Sequence, residues 1–115
     1  MKRLAKHHFL FLGAMKDLML SPHFIILSSF GNLVVFIFAG LFYQLELDAN
    51  PVVNAPIDAL WWAFATITTV GYGDITPITF AGRILGIFLM LIGTAIFASY
   101  IALFAEAFMK VDLSQ

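Results

Sequence analysis

Twenty consecutive residues, Phe24 to Tyr43 (FIILSSFGNLVVFIFAGLFY), carry no charged side chain, and Asn32 is their only strongly polar one. A helix of about 20 apolar residues is long enough to cross the roughly 30 Å of hydrocarbon in a bilayer. The stretch is therefore read as a spanning helix over residues 24–43. Charge returns at once in Gln44-Leu45-Glu46-Leu47-Asp48. A second apolar run, Phe80 to Phe108, holds Arg83 and Glu106 near its ends, where long side chains reach the interfaces. It is read as a second spanning helix over residues 80–109, longer than one bilayer thickness, so it must tilt or protrude. Composition agrees: 62% of the 115 residues are apolar and 11% charged, against about half and about a quarter in a soluble domain. A soluble domain of this length would leave many of the 13 Phe in water. Neither a nucleophile–base pair nor a metal-ligand constellation stands in the sequence, so an enzyme is not expected, and neither is a cofactor. A net charge of −1 gives nucleic acid little to bind, and the absence of cysteine excludes disulfides and thiolate metal sites.

Orientation follows from the basic residues. Lys2, Arg3, Lys6 and Lys16 precede the first span and Lys110 follows the second, and short basic flanks stay on the cytoplasmic side. Both termini are expected there, in a multi-pass plasma-membrane protein with Glu46, Asp48, Asp58 and Asp74 on the outer side; Arg83 runs against the rule. Residues 1–21 do not read as a signal peptide, because Lys16 and Asp17 follow a short apolar core without a clear cleavage site. They read as a helix at the cytoplasmic interface, with Arg3, Lys6, Gly13 and Asp17 on one face and Leu4, Phe11, Met15 and Leu18 elsewhere. Ser21-Pro22 ends it. Residues 111–115 form a short tail.

About 35 residues separate the spans, too many for a turn and too few for a domain. Asn54-Ala55-Pro56 reads as a helix start, with Asn54 as the candidate N-cap and Pro56 in the first turn. The helix predicted over 56–68 is apolar, carries Trp61 and Trp62, and is too short to cross a bilayer, which makes it re-entrant. Thr69-Val70-Gly71-Tyr72-Gly73-Asp74 follows it. Glycine enters left-handed backbone regions without steric cost, so Gly71 and Gly73, two residues apart, suit a strand whose dihedrals alternate in hand and whose carbonyls then point to one side.

The stretch Trp61 to Asp74 (WWAFATITTVGYGD) resembles the pore helix and selectivity filter of the potassium-channel family, and the likeness extends over both flanking spans. The resemblance implies an all-α membrane protein with two transmembrane helices, a re-entrant pore helix and a filter loop over 69–73, assembled as a homotetramer. The pore domain would then cover residues 22–110. It further implies that the carbonyls of Thr69, Val70, Gly71 and Tyr72, with the Thr69 hydroxyl, bind K⁺ as the permeant ion in place of its hydration shell, while Gly73 shapes the outer mouth. Trp61 would donate to Asp74 and Trp62 would pack on Tyr72; without the resemblance these rings read as bulky interface aromatics. Where some relatives carry a pore-helix Glu, this chain has Ala65.

In the second span, Gly82, Gly86, Ala95, Ala98, Ala102 and Ala105 allow close helix approach. Gly93 falls where the family places a gating hinge, plain packing being the other reading. The same resemblance turns Thr94, Phe97, Ile101, Ala102, Ala105, Glu106 and Met109 toward the cavity or inner mouth. Glu106 reads equally as a cation-attracting ring or as an i,i+4 partner of Lys110. The function implied is a K⁺-selective pore, with a weakly selective cation channel or a non-conducting membrane subunit as alternatives. No span with regularly spaced Arg is present, so no voltage sensor is expected in these residues. A cytoplasmic regulatory domain beyond them is a further expectation.

Overall fold

The computed structural model describes residues 2–113, with side chains over residues 5–111. The side chains of Lys2, Arg3 and Leu4, and the tail residues Ser114 and Gln115, lie outside the described residues. All regular structure in the described part is helical: α1 (Lys2–Leu20), α2 (Pro22–Glu46), α3 (Pro56–Ile67) and α4 (Phe80–Leu113). Both long helices exceed the spans read from apolarity, α2 by two residues at its start and three at its end, and α4 at its C-terminal end. Helix hydrogen bonding continues past the point where charge returns. In the most apolar windows of α2 and α4 only 22% and 17% of residues are buried within the chain. A soluble core helix would be mostly buried, so these apolar surfaces face something other than their own chain.

The helix boundaries have local causes. Ser21 separates α1 from α2; its hydroxyl donates to the Leu18 carbonyl at 2.7 Å and accepts from the Phe24 N–H at 3.2 Å. Pro22 then opens α2, where its missing N–H costs nothing. At α3 the N-cap is Ala55 rather than the expected Asn54. The Asp58 carboxylate reaches back instead, accepting from the backbone N–H groups of Asn54 at 2.9 Å and Ala55 at 3.0 Å. Asn54 turns its amide to the Pro51 carbonyl. Those two bonds to backbone hold the Asp58 carboxyl below the usual carboxylate range.

The chain divides into two compact units. In the unit formed by Phe30–Phe97, Phe42 of α2 is fully buried and stacks on Trp62 of α3, with ring centroids 4.0 Å apart. Val35, Ala39, Ala59, Ala63 and Leu89 are among the other buried residues of this unit. The other unit joins the residues up to Ser29 with those from Ala98 onward. There Phe11 of α1 stacks on Phe108 of α4 at 5.4 Å, and Phe24 meets Tyr100 and Phe104 edge-on at 5.7 and 6.4 Å. Phe11 and Leu18 thus turn inward on α1, while Phe9, Leu12, Met19 and Leu20 are exposed. The exposed face of α1 is more apolar than its sequence pattern suggests.

Candidate functional site

The 12-residue α3 is capped at its C-terminal end by Thr68, whose N–H and hydroxyl both bond the Phe64 carbonyl, at 3.1 and 2.6 Å. Thr66 bonds the Trp62 carbonyl through its hydroxyl at 2.7 Å. The chain then leaves the helix in an alternating conformation: φ is +64° at Thr69, +59° at Gly71 and +82° at Gly73. Glycine accounts for the last two. Thr69 takes the same left-handed region at a cost of about 1–2 kcal/mol, a strain that the sequence does not announce.

Backbone hydrogen bonds fix which way this segment faces. The Gly71 N–H donates to the Ala65 carbonyl at 3.0 Å, and the Thr69 N–H to the Thr66 carbonyl at 3.1 Å. In a trans peptide the C=O opposes the N–H. The carbonyls of Val70 and Thr68 therefore point away from α3, toward the side that the chain leaves uncovered. Residues 69–74 are all exposed, Val70 by 55% and Tyr72 by 70%. The C-terminal end of α3, which carries the negative end of the helix dipole, stands at the base of this strand and favours a cation there.

Two aromatic contacts brace the segment. The Trp61 indole N–H donates to Asp74 Oδ2 at 2.9 Å, and the Trp61 ring stacks on Tyr72 with centroids 5.8 Å apart. The expected pairing of Trp62 with Tyr72 is not formed within the chain. Trp62 lies on the buried side of α3 and is occupied by Phe42, whereas its neighbour Trp61 faces Tyr72 and Asp74.

The structure also joins residues that the sequence reading kept apart. Glu46, expected in an exposed acidic segment, is completely buried at the end of α2. Its Oε1 accepts from the Ile78 N–H at 2.5 Å and the Asn50 amide at 3.1 Å. Its Oε2 accepts from the Thr79 N–H at 3.1 Å and from the Thr79 hydroxyl. Asn50 also donates to the Thr76 carbonyl at 2.7 Å. One carboxylate thus ties the end of α2 to the segment that returns from the alternating strand into α4. The i,i+4 spacing of Glu46 and Asn50 was the available signal, but an acidic residue after an apolar span reads first as solvated.

Two glycines of α4, Gly82 and Gly93, stand where a side chain would be crowded. A Cβ at Gly82 would stand 2.7 Å from Glu46 Oε2 and 2.8 Å from Thr79 Oγ1. A Cβ at Gly93 would stand 2.9 Å from Ile67 Cγ1 and 3.0 Å from Ile67 Cα. Gly93 therefore has a packing reason, the close passage of α4 past the last residue of α3. Further along α4, Thr94 is exposed and bonds the Met90 carbonyl through its hydroxyl at 2.6 Å, and Phe97 is half-buried. Ile101, Ala102, Ala105, Glu106 and Met109 are exposed. Glu106 pairs with Lys110 at 3.8 Å, on the surface.

The family model described as "Ion channel" matches residues 31–110, which covers α3, the alternating strand and most of both long helices. The chain belongs to this ion-channel family. It is a membrane protein, and its two apolar helices are of spanning length. It is 39% identical over 85 residues to a voltage-gated potassium channel of Aeropyrum pernix, a match covering 71% of this chain and 29% of that protein. It is 44% identical over 68 residues to the human potassium voltage-gated channel subfamily KQT member 4, covering 59% and 10%. A cyclic nucleotide-gated potassium channel of Mesorhizobium japonicum is 38% identical over 78 residues, covering 67% and 22%. The chain spans less than a third of the length of these relatives. Within the ion-channel family, the alternating strand is the segment with the conformation and exposure suited to direct contact with an ion.

Proposed function

We propose that the chain contributes one quarter of a K⁺-selective pore, with K⁺ as its cargo and no cofactor. The observation that carries this reading is the left-handed backbone at Thr69, Gly71 and Gly73, coupled to the Gly71 N–H bond on Ala65. An ion leaving water needs its hydration shell replaced, and a column of backbone carbonyls does this at several successive sites. Thr69, Val70, Gly71 and Tyr72 supply those carbonyls, Thr69 adds its hydroxyl, and Gly73 forms the outer mouth. Several sites in line let ions repel one another forward, so favourable binding does not halt conduction.

A single strand forms one wall of such a column, so the functional unit is a homotetramer in a bilayer. The wall left open at residues 69–74, and a cleft of about 440 Å³ bordered by Trp62, Tyr72, Gly86 and Met90, are surfaces for the neighbouring copies. Trp61 and Asp74 brace the filter from the outer side. Thr94, Phe97, Ile101, Ala102, Ala105, Glu106 and Met109 line the water-filled path below it, and bending near Gly93 widens that path. The protein is placed in the plasma membrane with both termini cytoplasmic, because basic residues flank the spans on that side. The relatives named for cyclic-nucleotide gating motivate a regulatory domain outside these residues.

The test is reconstitution of the purified chain in liposomes. K⁺ flux that Ba²⁺ blocks, with Na⁺ flux far smaller, is expected. Equal K⁺ and Na⁺ fluxes would favour a weakly selective channel, and a folded tetramer without flux would favour a non-conducting subunit.

A further inference from the structure

Polar side chains are rare in α2 and α4, yet two of them meet in the unit formed by the N-terminal and C-terminal segments. The Tyr100 hydroxyl donates to Ser28 Oγ at 2.7 Å. Ser28 lies in α2 and Tyr100 in α4, both inside the apolar spans. The pair is set among aromatic rings: Phe24, one turn before Ser28, packs edge-on against Tyr100 and against Phe104, one turn further along α4. Both residues are half-buried inside apolar spans, where a hydrogen bond between helices confers a modest preference for the conformation in which it forms.

The position of the pair gives that preference a consequence. Tyr100 follows Gly93 by seven residues, or roughly 10 Å of helix. A bend of about 30° at Gly93 would swing a point that far along the axis by about 5 Å. A hydrogen bond does not survive a shift of that size. Tyr100 and Ser28 belong to the same compact unit, so the contact breaks when the C-terminal half of α4 moves against the Ser28 end of α2 and persists when the two move together.

We propose that the Tyr100–Ser28 hydrogen bond is a latch on the inner half of α4, formed in the conformation described here and broken in the alternative gating state. The proposal rests on the channel reading above. The latch acts on the balance between states and leaves the ion-binding strand untouched.

Single-channel recording of the full chain in planar bilayers tests it, with Tyr100→Phe, Ser28→Ala and the double variant. Tyr100→Phe keeps the ring that packs on Phe24, and Ser28→Ala keeps the helix. Each single variant is expected to shift the open–closed equilibrium in the same direction by about threefold per subunit, the typical strength of a hydrogen bond between membrane helices. The double variant is expected to shift it no further than either single one, and K⁺ over Na⁺ discrimination is expected to stay unchanged throughout. An unchanged equilibrium, or shifts that add in the double variant, overturns the latch. Absence of K⁺ over Na⁺ discrimination in the unsubstituted chain would overturn the K⁺-selective reading instead, and absence of any current from it would overturn the channel reading.

Discussion

At the residue scale, the strand at residues 69–73 depends on backbone hand and not on side-chain bulk at Gly71. A Cβ there would meet nothing within 4 Å in its own chain, yet φ is +59°. Gly71→Ala is therefore expected to leave the helices and their packing intact, as read by circular dichroism. The strand is penalised by about 1–2 kcal/mol per chain, and K⁺ flux in liposomes should fall accordingly. Retained flux would mean that the left-handed conformation is not the conducting one. Glu46 poses the opposite case, because its side chain is what matters. It accepts from the Ile78 and Thr79 N–H groups, the Thr79 hydroxyl and the Asn50 amide. Glu46→Ala leaves these donors without their acceptor, at about 1–3 kcal/mol for each group that water does not reach. A clear drop in the melting temperature of the detergent-solubilised protein is expected, and an unchanged one would contradict the burial of this network.

At the element scale, α3 is held by its start and by its end. The Asp58 carboxyl lies below its ordinary value because the Asn54 and Ala55 N–H groups bond its charged form. A depressed folded value means that the contribution is complete above the unfolded carboxylate value and is lost as pH falls through the folded one. Acid titration of thermal stability should therefore show a loss in that acidic range that Asp58→Asn lacks. At the other end, Gly93 distinguishes contact from bending. Gly93→Ala gains about 1 kcal/mol of helix propensity, but its Cβ would press on the Ile67 backbone, and overpacking costs about 1–3 kcal/mol. A net loss of thermal stability is expected; a gain would assign Gly93 to bending alone.

The long elements were legible in the sequence because apolar runs and the Ser21-Pro22 break are local signals. The alternating strand was legible at Gly71 and Gly73 for the same reason. Thr69 was not, since a β-branched residue does not advertise a left-handed conformation, and its φ follows from where α3 delivers the chain. The burial of Glu46 was hidden because its partners Ile78 and Thr79 lie more than thirty residues away. The neighbouring tryptophans could not be told apart by spacing. Only the placement of Phe42 sends Trp62 inward and leaves Trp61 to face Tyr72.

At the scale of the whole molecule, the chain leaves two kinds of surface uncovered. The apolar flanks of α2 and α4 suit lipid. The exposed carbonyl strand suits copies of itself arranged around an ion. The proposed assembly in a membrane would cover both, in keeping with how little of the spanning helices is buried within the chain. The most direct measurement of the central claim is the reversal potential of the purified chain in a bilayer with K⁺ on one side and Na⁺ on the other. A K⁺-selective pore gives a potential displaced strongly in the direction set by K⁺ permeation; a current that reverses at zero would rule such a pore out.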